Sequence, residues 1–392
     1  VTEDLFGSAD GFEPTLQAAR ARLAAVRPHD YARTRNHLEG AVTRLSPYIT
    51  HGLLTLPQVL RAVRQRYRID AQHKFVFELG WREYFHHVWA HRGEAIFESL
   101  HEGVLPDSAY LQALPEDIAQ GRTGVPVIDR AVHALYTQGW LHNHARMWLA
   151  SYVVHLRKVH WRAGADWMHA HLLDGDLASN HLSWQWVAGT GSHKPYLFNA
   201  ANVARHAPAD WHSPGSVVDT SYDTLDRIAR SPDAVPAAGA AGAGLAVPPT
   251  SHRPPDAFTD VADAAMLRGR EVQIVHPWCL GDEPHPGAYR LGLWLREFHD
   301  RWPWSARRWQ FVGEALRRAS DGVFLLDAAA LQGLVSAATR VHGTRDLHLA
   351  PWLDSWPLAP TDRLFAPVPN PCPSFSQWWQ RATLNAAVTG TD

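Results

Sequence analysis

The run GWLHNHARMWLASYVVHLRKVHWRAGADWMHAHLLDGDLASNHLSWQWVAGTG, residues 139–191, decides how this chain is read. It is dense in aromatic and aliphatic side chains, and its few charges are specific. Asp174 and Asp176 bracket Gly175, Asn143 and Arg146 lie three apart on one helical face, and Trp184 and Trp186 flank Gln185. Each feature alone has an ordinary explanation. An Asp-Gly-Asp is commonly a turn leading to a helix N-cap, an arginine on an apolar helix commonly snorkels or pairs, and clustered tryptophans are commonly core. Their convergence is harder to explain by stability. Two carboxylates, an arginine and an asparagine among buried helices would cost several kcal/mol to desolvate unless each found a partner. A planar heteroaromatic ligand with an amide edge supplies such partners.

Outward from this run the periodicity is helical, from Pro14 to about residue 230. TLQAARARLAAV spaces Leu16, Ala19 and Leu23 at i, i+3, i+7, and PQVLRAVRQRY, KFVFELGWREYFHHVW and IDRAVHALYTQ repeat the pattern. Ser46-Pro47 reads as N-cap and first helical residue, Pro126 opens another helix, and Gly139 sits where a C′ glycine belongs. Residues 231–258 are rich in Ala, Gly and Pro, cannot offset their chain entropy by burial, and read as a linker. Beyond it, EVQIVHPW, GVFLLD and DLHLAP read as strands. YRLGLWLREFHDRW, ARRWQFVGEALRRA and AAALQGLVSAATR read as helices, the alternation of βαβ units on a parallel sheet. The fold class is therefore mostly α: a helical domain over 1–230, a linker over 231–258 and a smaller α/β domain over 259–392. No G-x-G-x-x-G or G-x-x-x-x-G-K-[ST] follows the first strand, so no nucleotide site is assigned there.

Composition supports a folded chain: of 392 residues 46% are hydrophobic, 19% charged and 10% aromatic, which excludes a disordered or collagen-like protein. Two cysteines, Cys279 and Cys372, exclude a cysteine-built zinc finger or four-cysteine cluster, and with no exporting or membrane-spanning segment the expectation is a cytoplasmic protein without a membrane partner. Net charge is −2, but Arg20, Arg22, Arg27, Arg33 and Arg35 crowd one segment and Arg61, Arg64, Arg66 and Arg68 another, leaving room for a local phosphate-binding face. No metal is expected: His86, His87 and His91 offer i, i+4 spacing without H-E-x-x-H or a matching carboxylate.

Six motifs, in order, resemble the FAD-binding helical domain of the photolyase/cryptochrome family: Tyr31-x-x-x-Arg35-Asn36; Thr43-Arg-Leu-Ser-Pro-Tyr48; Glu78-Leu-Gly-Trp81-Arg-Glu-Tyr84; Gly121-Arg-Thr-Gly-x-Pro126-x-x-Asp129; Gly139-Trp-x-His-Asn143-x-x-Arg146-Met147; and Asp174 through Gly191. The resemblance implies FAD as cofactor. Tyr31 and the loop Thr43, Arg44, Leu45 and Ser46 would meet its phosphates, helped by free N–H groups and a helix dipole. Arg82 would join the cofactor site. Arg146 and Asp174 would pair against the isoalloxazine, Asp176 would accept from the flavin amide, and Asn180 would face N5, where it lacks the carboxyl proton an aspartate can donate. Trp81 and Trp186 would wall a pocket for a flipped pyrimidine dimer, with Glu78, Asn143 and Met147 on the lesion and Arg35 holding a group beside it. Asn143 and Met147 stand where relatives that repair (6-4) lesions carry histidines, so the pocket resembles the cyclobutane-dimer type. Trp184 and Trp161 match the first two rings of a photoreduction chain.

The chain departs from that pattern in four places. Ser108 stands where the outermost tryptophan would sit, so Tyr110 or another tryptophan substitutes, or photoreduction is impaired. His144 replaces a phosphate-binding arginine. Thirty residues precede Tyr31, where relatives carry an α/β antenna domain, leaving an antenna chromophore doubtful. The α/β segment follows instead, and its PSFSQWWQRA resembles the aromatic motif closing that antenna domain; a rearranged antenna domain and an unrelated module both remain open. The expected function is light-driven repair of damaged DNA, with a blue-light sensor acting on a signalling partner as the alternative.

Overall fold

The computed structural model describes residues 11–237, 244–354 and 356–385; the expected linker's 238–243 and both chain ends lie outside the described residues. Helices run through the first part: Leu16–Ala24, Leu56–Arg64, Lys74–Arg92, Pro126–Gln138, Asn143–Ser151, Trp161–His171, Leu177–Ala188 and Tyr222–Arg230 among them. Their ends are set by local chemistry. Thr55 and Gln58 close a capping box, Pro126 is the first residue of its helix, and Gly139 ends it at φ 64°, the left-handed conformation a C′ glycine takes without strain. The Gly121–Asp129 motif is a structural loop: Asp129 accepts from the Thr123 N–H (2.8 Å), the Thr123 hydroxyl (2.7 Å) and the Gly124 N–H (3.1 Å).

Ser46 behaves differently from expectation. It is the first residue of a five-residue helix, Ser46–Thr50, whose N-cap is Leu45, and its hydroxyl accepts from Trp140 Nε1 (3.1 Å) instead of capping. A single turn carries little macrodipole, so any anion held here rests on the loop's own N–H groups and arginines.

Beyond residue 270 a four-stranded sheet runs in the order Gly322–Leu326, Tyr289–Leu295, Glu271–Val275, Arg340–Gly343, every pairing parallel. Helices Ala306–Ala319 and Ala328–Val335 provide crossovers. Two assignments need correcting. YRLGLWL is a strand, with the helix confined to Arg296–Arg301, because a strand buried on both faces reads as a continuous apolar run that periodicity cannot separate from a buried helix. DLHLAP is not a strand: the edge position goes to Arg340–Gly343, while Ala350–Leu353 is a short helix.

The cores do not follow the linker. One buried cluster holds Ile128, Leu149, Val153, Trp161 and Trp184. The other joins Val59, Phe75, Val76 and Leu177 to Ile274, Leu293, Trp304 and Phe324, so the early helices share their interior with the sheet domain. Residues inside the expected linker are also tied down: Val235 N–H donates to the Leu156 carbonyl (2.8 Å), Leu245 N–H to the Gln120 carbonyl (2.7 Å), and Thr250–Ser251 pairs with Trp304–Ser305. Lys158 is buried and its ammonium caps carbonyls at two helix ends, His155 (2.6 Å), Ile228 (2.7 Å) and Ala229 (3.0 Å).

Candidate functional site

Helices Lys74–Arg92, Asn143–Ser151 and Leu177–Ala188 and the loop around Thr43 enclose a cavity of about 500 Å³, within the range of small-molecule sites. Tyr31, Arg35, Thr43, Arg44, Ser46, Glu78, Trp81, Arg82, Asn143, Arg146, Met147, Asp174, Asn180, Trp184 and Trp186 all line it. Side chains up to 155 positions apart in sequence thus meet in one chamber.

The central pair is Arg146 with Asp174. One guanidinium nitrogen donates to both carboxylate oxygens (3.0 and 2.7 Å), while Nε is fixed on the Leu141 carbonyl (2.9 Å). Asp174 is buried and Arg146 remains partly open to the cavity. Four arginines, 35, 44, 82 and 146, line the chamber against the carboxylates Glu78 and Asp174, an excess of positive charge that favours an anionic ligand. Arg44 adopts φ 51°, a left-handed conformation that non-glycine residues avoid, and its guanidinium lies over the Trp140 ring (4.7 Å). Such local strain is concentrated at ligand clamps.

Around the mouth, Glu78 accepts from Arg35 (3.2 Å) and Lys74 (3.0 Å), and the Asn143 amide donates to Met147 Sδ (3.4 Å). His142 caps the Asn143 helix. Burial, reinforced by His144, takes its pKa down to about 4, so the ring is neutral: Nδ1 accepts from the His144 N–H (3.0 Å) and Nε2 donates to the Arg35 carbonyl (3.0 Å). The helix bearing Asn143 and the segment bearing Arg35 are thereby held in register. Trp186 is exposed, whereas Trp81 stacks one face on Phe375 of the C-terminal helix Phe375–Arg381 (4.0 Å, 10°). Gly80 permits that docking, since a Cβ there would come within 2.6 Å of Trp379.

Leu45 has its side chain in the core. Trp161, expected behind Trp184 in the photoreduction chain, is buried outside the cavity lining, its Nε1 donating to Ser99 (3.0 Å). Asp176, expected to accept from the flavin amide, does not line the cavity. It is the N-cap of Leu177–Ala188, taking the Ser179 N–H on Oδ1 (2.7 Å) and His86 Nε2 on Oδ2 (2.7 Å), with Arg82 at 4.0 Å and His348 at 3.8 Å. Burial opposes its charge, but His86 and Arg82 outweigh burial and hold the carboxyl well below its ordinary range. Burial likewise opposes charge on His86, and Asp176 overrides it, raising the imidazole above its ordinary value.

Ser179 was missed by sequence reasoning, because a serine in a helix carries no motif. Ser179 lines the cavity, and its buried hydroxyl has no hydrogen-bond partner among the described residues, an orphaned polar atom beside the chamber. Arg308 was missed as well. Fully buried in the sheet domain, it donates to the carbonyls of His169 (2.8 Å) and Gly175 (2.6 Å), gripping the Asp-Gly-Asp turn from behind. Burial lowers its pKa to about 9, with Asp174 and Asp176 acting to retain its charge. The same grip explains Gly175: a Cβ there would lie 2.4 Å from the Arg308 guanidinium.

Residues 75–212 match the family model of the FAD binding domain of DNA photolyase. That segment is an FAD-binding domain of the photolyase type. The cavity fits FAD: its arginine excess suits a diphosphate, and the Arg146–Asp174 pair presents polar atoms in the same chamber. Curated relatives agree. A deoxyribodipyrimidine photo-lyase of Streptomyces griseus is 36% identical over 42% of this chain and 36% of its own. One from Thermus thermophilus is 36% identical over 50% of this chain and 48% of its own, and cryptochrome DASH of rice is 36% identical over 41% and 29%. The chain spans less than half the length of each. Among solved structures, a Synechocystis cryptochrome is 28% identical over 51% of this chain and 44% of its own, with a TM-score of 0.45. Tyr31, Arg35, Thr43, Arg44 and Ser46 lie outside the matched segment, yet they line the same cavity as residues within it. Among the described residues, no helix is long and apolar enough to cross a membrane.

Proposed function

We propose that this chain repairs cyclobutane pyrimidine dimers in DNA by light-driven electron transfer. The observation that carries the reading is the meeting of Glu78, Trp81, Asn143, Met147 and Trp186 at the cavity that also holds the Arg146–Asp174 pair. When bound and reduced, FAD would supply the photoexcited electron; the electron returns after the two cyclobutane bonds break, so the reaction is redox-neutral overall. The protein's work is positioning. A flipped dimer costs a few kcal/mol to unstack, and aromatic faces such as Trp186 and the open face of Trp81 return about 1–3 kcal/mol per base; the first of these generalisations itself names photolyases. Asn143 and Glu78 would orient the dimer's polar edges, and Arg35 would hold a neighbouring polar group.

For reductive activation, Trp184 lines the cavity and packs directly over Gly164 on the helix that begins with Trp161. From Trp161, rings continue through His160 (5.6 Å) to Tyr110 (6.2 Å from His160), which supports Tyr110 in place of the tryptophan that Ser108 lacks. A sensor reading rests on a different observation: the C-terminal helix already stacks on Trp81, and DASH cryptochromes are among the relatives. Assaying blue-light loss of thymine dimers from an oligonucleotide by the reduced protein decides between them. Repair that drops about tenfold or more in Asn143→Ala with flavin retained is expected; photoreduction without repair would overturn the enzyme reading in favour of the sensor.

A further inference from the structure

A second cluster of chemistry-bearing side chains sits on the sheet domain, and none of its members lines the flavin cavity. Glu271 opens the strand Glu271–Val275, His342 lies on the neighbouring edge strand Arg340–Gly343, and His285 comes from the loop leading to Tyr289. Parallel pairing sets Gln273 beside His342, two residues beyond Glu271, so Glu271, Gln273 and His342 project from one face of the sheet. His342 Nε2 lies 2.7 Å from Glu271 Oε2, and His285 Nδ1 lies 3.8 Å from the same oxygen. The two imidazoles are stacked with centroids 3.6 Å apart, and the three ligand atoms all fall within 4.8 Å of one another.

The loop that brings His285 here is fastened by a buried side chain. Gln273, only 6% exposed, donates through Nε2 to the Glu283 carbonyl (3.1 Å) and accepts the His285 N–H on Oε1 (2.7 Å). A surface hydrogen bond between one histidine and one glutamate would not need this. At 3.8 Å the second imidazole is too far for a hydrogen bond to the carboxylate, and two protonated rings in face-to-face contact would repel. A cation seated between the three atoms satisfies all of them without protonating either ring.

We propose that Glu271, His285 and His342 form a binding site for a divalent transition metal of the zinc class, with its remaining coordination positions open to solvent. Two imidazoles and one carboxylate suit zinc-class ions and disfavour magnesium and calcium, which prefer all-oxygen shells. Bonds of about 2.0–2.2 Å place tetrahedral ligand atoms about 3.4 Å apart, so shifts of less than about 1 Å complete the site. Arg340, opposite Glu271 in the ladder, is the neighbouring charge that works against a cation and sets a limit on affinity. Local sequence does not announce such a site, because its ligands stand at 271, 285 and 342 and only the parallel pairing joins them.

The test uses the full chain with its flavin, freed of metal by a chelator and titrated with Zn²⁺ against a chromophoric competitor. One Zn²⁺ per chain is expected, unaffected by excess Mg²⁺, with affinity falling about tenfold or more in His285→Ala and in Glu271→Gln. His285 is exposed, so its substitution is expected to leave flavin absorption and metal-free melting unchanged, and Zn²⁺ should raise the melting temperature of the parent but not of the variant. Equal Zn²⁺ affinity in parent and both variants, or no binding by the parent, overturns the proposal.

Discussion

At the scale of single residues, the Asp-Gly-Asp turn shows how one side chain can dictate another. Gly175 is required by close approach: Arg308 fills the space a methyl group would take, and both bonds from Arg308 to backbone carbonyls depend on that approach. Gly175→Ala is therefore expected to cost about 1–3 kcal/mol through overpacking, and to loosen Asp174 from Arg146. Thermal melting of the variant checks this; an unchanged melting temperature would contradict it. The sequence made Arg146, Asp174 and the aromatic walls legible because motif and spacing survive without the fold. Ser179 and Arg308 were not legible. The first is an unremarkable helical serine, and the second lies 133 positions from the carbonyl it holds, so only tertiary contact reveals either.

At the scale of elements, the helix Lys74–Arg92 ties distant segments together. Its His86 reaches Asp176, the N-cap of Leu177–Ala188, and its Glu83 accepts the N–H groups of Leu364 and Phe365 (3.1 Å for the latter). The His86–Asp176 pair gives stability a defined pH window. His86 is raised above 6.5, so its contribution is complete below that value and is lost as pH rises through the raised one. Asp176 is held well below 3.8, so its contribution is complete above 3.8 and is lost only as pH falls through the lowered value. Replacing His86 by Gln is expected to flatten the decline in melting temperature as pH rises above 6.5, relative to the parent. Parallel curves would remove the pair from the account. The misreading of Tyr289–Leu295 belongs to this scale too: its neighbours on both sides and both faces bury it, and such a strand offers no alternation to read.

At the scale of the whole molecule, the composition shift at 231–258 marked a change of architecture but not a division of the interior. Val59, Phe75 and Leu177 share a core with Ile274 and Trp304, and Arg308 and His348 reach from the sheet domain to the turn beneath the flavin cavity. A chain ending at residue 237 would expose that shared face, and we expect it to aggregate on expression where the full chain is monodisperse by size exclusion; a soluble, flavin-binding truncation would contradict the shared core. The central claim is that one cavity, organised by Arg146 and Asp174, holds one FAD per chain. Titrating FAD into the flavin-free protein while following its absorption and fluorescence tests this most directly. Saturation at one FAD per chain is expected, weakened about tenfold or more by Asp174→Asn; absence of binding, or equal binding by that variant, would rule out a cavity organised by this pair.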